Sequence, residues 1–293
     1  MRKHPRPNHP TVLKNQNCPF CGRDVGEDGT KEHVIARNFV PKGSLDQHWN
    51  LIVRACKSCN NRKSDLEDDI SAISMIPDLS GSVAEDDEML RVSSERKQKS
   101  KSRKTGKPVS DSQEQINFKG AFGPDVTMTG NFVSPPQISE DRVFELCRLH
   151  LSAFFFFQTY DESTLRGGFW LEGFYPVSTV RRSDWGNATQ QSFLRLVDGW
   201  DPRFYLSTAS GFFRVITRMD PTETCWAWAI EWNRNMRTIG FFGNRQVSME
   251  AAAQLEQPVR KVIGKNSEGP IYMIEEMTLQ ENEDKMFVLE DAV

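Results

Sequence analysis

Four cysteines in two Cys-x-x-Cys pairs, Cys18 with Cys21 and Cys56 with Cys59, have the types and spacing that most directly define chemistry here. Two residues between thiolates let both sulfurs reach one ion, and two such pairs complete the tetrahedral four-sulfur shell that zinc prefers in structural sites. A closed shell keeps no position for water, so any reaction falls to residues held beside the zinc. Glu32, His33 and Asn50 lie between the pairs, and Asn60 follows the second directly. A carboxylate, an imidazole that titrates near neutrality and two amides are groups that can move a proton and bind a cation.

Set out in order, Cys18-Pro19-Phe20-Cys21-Gly22, Glu32-His33-Val34-Ile35, Asn50-Leu51 and Cys56-Lys57-Ser58-Cys59-Asn60-Asn61-Arg62-Lys63 resemble the HNH endonuclease superfamily with a four-cysteine zinc. The resemblance is confined to the N-terminal region. It implies a ββα unit that holds one catalytic divalent cation between a strand ending near His33 and a helix starting near Asn60. It also implies that Asn60 is the second metal ligand beside Glu32, with Asn61 the adjacent alternative because helix phase is not fixed to one residue. Asn50, on the same resemblance, orients the loop that carries His33. Two positions depart from the usual pattern: Glu32 stands where Asp is common, and Asn60 where His is often found. Such modules serve restriction, phage defence, homing and packaging, and a nuclease of restriction or phage defence is the expectation.

Hydrolysis of a phosphodiester requires a deprotonated water, compensation of charge on the phosphoryl oxygens and stabilisation of the leaving oxygen. His33 suits the first task as general base; His48 is the rival histidine. Successive strand residues face opposite ways, so Glu32 and His33 can serve one site only if a turn ends the strand there. Glu carboxylate and Asn amide oxygens favour Mg2+ or Mn2+ as the catalytic ion.

The elements that must position these groups are readable in outline. A short strand through Lys31 to Ile35 precedes a second, Leu51 to Ala55, whose alternation fits one buried face. A helix from Asn60 to about Ile76 carries Leu66, Ile70, Ile73 and Ile76 at spacings of three and four, and Pro77 stops it. Its first turn offers free N–H groups and the positive dipole end, where Arg62 and Lys63 are expected to face phosphate. Asp65, Glu67, Asp68 and Asp69 read as solvated helix charges, with assistance to metal binding by one of them the alternative.

The 293 residues suffice for two domains, and the net charge of -3 conceals an asymmetry. Residues 1–63 hold twelve Lys or Arg against five Asp or Glu, a net of +7 of the kind a phosphate backbone attracts. A second basic run, Arg96 to Lys107, follows an acidic cluster at Glu85 to Glu88; unable to bury apolar surface, it reads as a flexible linker or loop whose Lys99, Lys101, Arg103 and Lys104 can track DNA. The expected division is a basic arm at 1–15, the nuclease module at 16–79, a charged linker at 80–115, a C-terminal α+β domain at 116–272 and an acidic tail at 273–293. The fold class is α+β throughout.

Within the C-terminal part, strands at 116–133, a buried helix at 140–160 and an antiparallel meander at 211–219, 224–233 and 237–243 are expected. Trp226, Trp228, Ile230 and Trp232 share one face of the middle strand and read as core, with base stacking the rival use. This domain is the candidate to bind DNA, a protein partner or a second copy of the chain. RNA is not excluded as a substrate, and no membrane partner is expected. Cys147 and Cys225 read as reduced core thiols, and no secretory or membrane-spanning apolar run is present, so the expected location is the cytoplasm. The competing reading is a noncatalytic zinc-ribbon nucleic-acid-binding or adaptor protein. A catalytic site in the C-terminal domain finds no clustered nucleophile and base.

Overall fold

The central strand of the N-terminal part, β3 (Leu51–Ala55), is built of β-branched and aliphatic residues, and Leu51, Ile52, Val53 and Ala55 are all buried, so both faces are covered. It lies between β1 (Thr11–Val12), which runs parallel to it, and β2 (Thr30–His33), which runs antiparallel with Glu32 opposite Val53 and His33 opposite Ile52. Helix α1 (Lys57–Ser74) follows directly, starting three residues before Asn60 because the extended backbone of Cys56 caps it. Leu66, Ile70 and Ile73 form its buried stripe.

The computed structural model describes residues 5, 8–76, 88–121, 127–134, 138–169, 173–266, 269–280 and 282–289. Residues 1–4, 6 and 7 of the basic arm, Pro77, the acidic cluster before Glu88 and the last residues of the tail lie outside these.

Helix α2 (Glu88–Lys97) leads into the basic run, expected as a flexible linker or loop; it is a loop, and a folded one packed on α1. Ser102 and Lys107 close it by a backbone hydrogen bond of 2.9 Å, and Arg103 anchors it to α1. Its guanidinium pairs with Asp65 at 2.9 Å and Asp68 at 3.2 Å, while its amide donates to Asp69 at 2.9 Å. Acids three and four residues apart share one helix face, and that face receives the loop.

The hairpin of β4 (Glu114–Ala121) and β5 (Thr127–Ser134) precedes the long helix α3 (Glu140–Thr159). Beyond it come β6 (Tyr175–Arg181), α4 (Ala188–Leu196), β7 (Asp201–Thr208), β8 (Phe213–Met219), β9 (Cys225–Trp232), β10 (Met236–Gly243), α5 (Arg245–Ala253), β11 (Arg260–Asn266) and β12 (Gly269–Ile274). Strands β6 to β10 form a five-stranded antiparallel sheet in the order β6-β10-β9-β8-β7, and β11 and β12 join the earlier hairpin in the order β12-β11-β4-β5. The fold is α+β, as the sequence implies.

One face of β9 presents Trp228, Ile230 and Trp232 to a core that also contains Val34, Phe39, Trp49 and the apolar residues of α3. Helix α3 is therefore packed between the N-terminal strands and the five-stranded sheet, and these aromatics are packing residues. The opposite face, with Cys225, Ala227 and Ala229, packs on α4 and α5 and on Met286 and Phe287. Those last two residues overturn the expected tail: they are buried, Met277 accepts a hydrogen bond from Gly186 at 2.7 Å, and Asp284 bonds Arg237 at 2.5 Å. In the turn between β9 and β10, Asn233 donates to the Phe39 carbonyl at 3.2 Å and Asn235 to the carbonyls of Ser74 and Ile76 at 3.0 and 2.9 Å. No helix among the described residues is long and apolar enough to cross a membrane.

Candidate metal centre and adjoining polar cavity

The first Cys-x-x-Cys pair lies in a tight turn in which the Gly22 amide donates to the Cys18 carbonyl at 2.8 Å. Gly22 adopts a φ of +71°, and a Cβ there would approach the Phe169 ring to 3.0 Å, so glycine is required on two counts. The second pair brackets the start of α1. The ligand atoms of Cys18, Cys21, Cys56 and Cys59 all lie within 4.8 Å of one another. A Zn–S bond of about 2.3 Å places the corners of a sulfur tetrahedron roughly 3.8 Å apart; the Cys21 and Cys56 sulfurs stand at 3.7 Å. The cluster can thus hold a metal such as zinc. Burial pushes the Cys18 thiol up to about 11, whereas at Cys56 hydrogen bonds from Ser58 and Cys59 overcome a burial effect of the opposite sign and lower it to about 6.

Strand β2 ends at His33 and the chain bends at Val34 and Ile35. Asn50 holds that bend: its Nδ2 donates to the Ile35 carbonyl at 2.8 Å, and its Oδ1 accepts from the Ile35 amide at 3.2 Å. With the strand ended, Glu32 and His33 line one cavity of about 290 Å³ together with Asn38, Asn60, Ser64 and Glu67. The side chain of Asn60 is fixed by its Nδ2, which donates to Thr30 Oγ1 at 2.9 Å; its Oδ1 meets no donor among the described residues. The half-buried His33 has its pKa lowered first by burial and then by the charges of Arg37, Lys31 and Lys63, which favours the neutral, proton-accepting form.

Lys63 departs from the phosphate-facing role expected of it. Its side chain is fully buried, and its ammonium donates to Glu32 at 2.7 Å, to Glu67 at 2.6 Å and to the His33 carbonyl at 3.3 Å. It faces inward because α1 turns residues 63, 66, 67 and 70 toward β2 and α3. Burial alone would lower the Lys63 pKa, but Glu67 and Glu32 outweigh it and raise it. Burial likewise opposes ionisation of Glu67, yet Lys63 and His150 hold its carboxyl low, while at Glu32 burial prevails and the pKa rises. Glu67 is the site residue that sequence reading did not single out, reading it as one of four helix acids. Its signal is the i, i+4 spacing from Lys63 on the same face as Leu66 and Ile70.

The other basic candidates divide. Arg62 is exposed and pairs with Glu145 of α3 at 3.0 Å, and Lys99, Lys101 and Lys104 are exposed on the folded loop. Arg103 is committed to the acids of α1. His48 lies outside the cavity and meets Ser210 Oγ at 3.2 Å.

Compared with models of protein families, with curated protein sequences and with solved structures, the chain finds no match. What can be said of function therefore rests on these residues and their geometry.

Proposed function

We propose that this protein is a divalent-cation-dependent endonuclease of the HNH type that hydrolyses DNA phosphodiester bonds. The observation that carries the reading is the cavity that gathers Glu32, His33 and Asn60 beside the four-cysteine cluster, with both sites resting on the first turns of α1. The four sulfurs hold a structural zinc that fixes where α1 begins, and hence where Asn60 stands.

The donor set suits Mg2+ or Mn2+. Lys63 uses Oε1 of Glu32, so the second carboxylate oxygen and Oδ1 of Asn60 offer two hard ligands. A cation bound there would neutralise charge that gathers on the phosphoryl oxygens and on the leaving oxygen. His33 takes the proton from the attacking water, and Asn50 keeps it in place through the Ile35 backbone. Exposed Arg62, Lys99, Lys101 and Lys104 draw in the phosphate backbone.

One observation favours a second reading, a zinc-stabilised binding or adaptor protein that does not cut. The carboxylates of Glu32 and Glu67 already share a buried counter-charge in Lys63, so part of the cavity's negative charge is compensated without an added ion. A supercoiled plasmid incubated with Mg2+, Mn2+ or Zn2+ separates the two. Nicking or linearisation that His33→Ala abolishes while zinc content stays unchanged is the expected result. A plasmid that is shifted in a gel but never cut, or cutting undiminished in His33→Ala, overturns the nuclease assignment.

A further inference from the structure

The turn that follows the His33 bend is held at each residue except one. The Ala36 amide donates to Glu67 Oε1 at 3.4 Å, and the Ala36 carbonyl accepts from the Phe39 amide at 2.9 Å. The Asn38 carbonyl accepts from Ser71 Oγ at 3.1 Å and from the Lys97 ammonium. Phe39 is wholly buried, its ring set edge-on against Trp232 and His150, and its carbonyl accepts from Asn233 at 3.2 Å. Arg37 stands in the middle of this turn, exposed, and its guanidinium makes no ion pair or hydrogen bond among the described residues. The backbone on either side of it is fixed from α1, from the end of α2 and from the β9–β10 turn, so an unbonded side chain is displayed from a rigid base.

Arg37 also lines the cavity of about 290 Å³ that holds Glu32, His33 and Asn60. Two carboxylates line the same space, yet neither takes the guanidinium: Glu32 and Glu67 are both bonded to the Lys63 ammonium instead. The cavity therefore joins a candidate base, two candidate cation ligands and an arginine whose donors have no use within the fold. A guanidinium is a planar fork of N–H groups that matches the paired oxygens of a phosphodiester, and it carries its charge at any pH at which the protein is folded.

We propose that Arg37 grips the DNA phosphodiester at this cavity, its fork on the non-bridging oxygens. The inference rests on the nuclease reading for its substrate and adds to it a residue that bonds the reacting phosphate directly. In the hydrolysis, the water oxygen bonds to phosphorus as its proton passes to His33. The opposite P–O bond breaks, and its electron pair stays on the leaving oxygen, which is protonated from solvent. Arg37 keeps its proton throughout and balances the charge that gathers on the non-bridging oxygens, so its hydrogen bonds strengthen toward the transition state.

The grip and the chemistry are read separately. Anisotropy of a fluorescein-labelled DNA duplex, titrated with the full chain without added Mg2+ or Mn2+, reads the grip; plasmid nicking with Mg2+ reads the chemistry. Arg37→Gln is expected to weaken the duplex by about tenfold, the loss of one charged hydrogen bond, and to flatten the salt dependence of binding by about one phosphate contact. Its kcat for nicking should fall on the order of a hundredfold. Arg37→Lys keeps the charge and loses the fork, so it should recover part of the affinity and little of kcat. Arg195→Gln removes an equal charge from α4, behind the five-stranded sheet, and should change neither. Because the Arg37 side chain bonds nothing within the fold, Arg37→Gln should melt with wild type. A wild type that binds the duplex but leaves the plasmid intact, with affinity lost in Arg37→Gln, removes the nuclease reading and keeps the grip. A wild type that binds no duplex, an Arg37→Gln that binds it as wild type does, or an Arg195→Gln that loses as much, overturns the proposal, whether or not the plasmid is cut.

Discussion

The ammonium of Lys63 lies 2.7 Å from the carboxylate of Glu32 on the neighbouring strand, out of contact with water. A buried charge is tolerated only while its partner remains, so Lys63→Met strands two carboxylates in the interior. The expected loss is on the order of 3–5 kcal/mol in denaturant unfolding. Replacing Lys63 and Glu67 together, by Met and Gln, should recover part of it, because one of the stranded charges is then gone. A double variant no more stable than Lys63→Met would show that the lysine does not balance Glu67.

Asn50 is the brace of the His33 bend. Asn50→Ala orphans the buried amide and carbonyl of Ile35, at about 1–3 kcal/mol for each group. Asn50→Asp keeps the acceptor for the amide and loses the donor to the carbonyl, so its melting temperature should fall between those of Ala and wild type. Plasmid nicking should follow the same order. An alanine variant that melts with wild type would count against the brace.

The sulfur cluster should carry one zinc per chain by elemental analysis, lost in Cys56→Ser or Cys59→Ser and retained in Cys147→Ser and Cys225→Ser. Removal by a strong chelator should lower the melting temperature, since the metal ties the Cys18 turn to the start of α1. Full zinc content in Cys59→Ser would refute the four-sulfur site.

His150 on α3 is wholly buried against Phe39, Phe213 and Trp232, with Glu67 at 3.8 Å and Lys63 beyond it. Burial above all pushes its pKa down to about 4, against the ordinary 6.5, although Glu67 pulls the other way. The folded state thus binds this proton more weakly than the unfolded chain does. The stabilisation is complete above pH 6.5 and is lost as the pH falls from there toward 4, on the order of 3 kcal/mol in all. In His150→Phe the unfolding free energy should decline less steeply across that window; an unchanged slope would mean that other groups set it.

What the sequence disclosed depended on how local the governing physics is. The cysteine spacing, the alternation of β9 and the apolar stripe of α1 are short-range patterns, and the structure has the strands, helix and sulfur cluster they imply. Lys63 and Arg103 were misread because a charge written in sequence carries no address. Lys63 on α1 finds Glu32 on β2 across 31 residues, and Arg103 finds Asp65 across 38. The C-terminal residues were misread in the same way, since Met286 and Phe287 are only two apolar residues in an acidic stretch, and their burial depends on a sheet built far upstream. Glu67 needed both kinds of information, a helical spacing and the knowledge of which face is covered.

The core that joins Val34, Phe39 and Trp49 to α3 and to Trp228, Ile230 and Trp232 of β9 has a practical consequence for anyone dissecting the chain. A fragment cut after α1 would strip the cover from that apolar face and abandon the asparagine clasps that arrive from the β9–β10 turn. The portion that carries the sulfur cluster should therefore precipitate when expressed by itself. Grafting it onto another scaffold would succeed only if α3 and the tryptophan strand travelled with it.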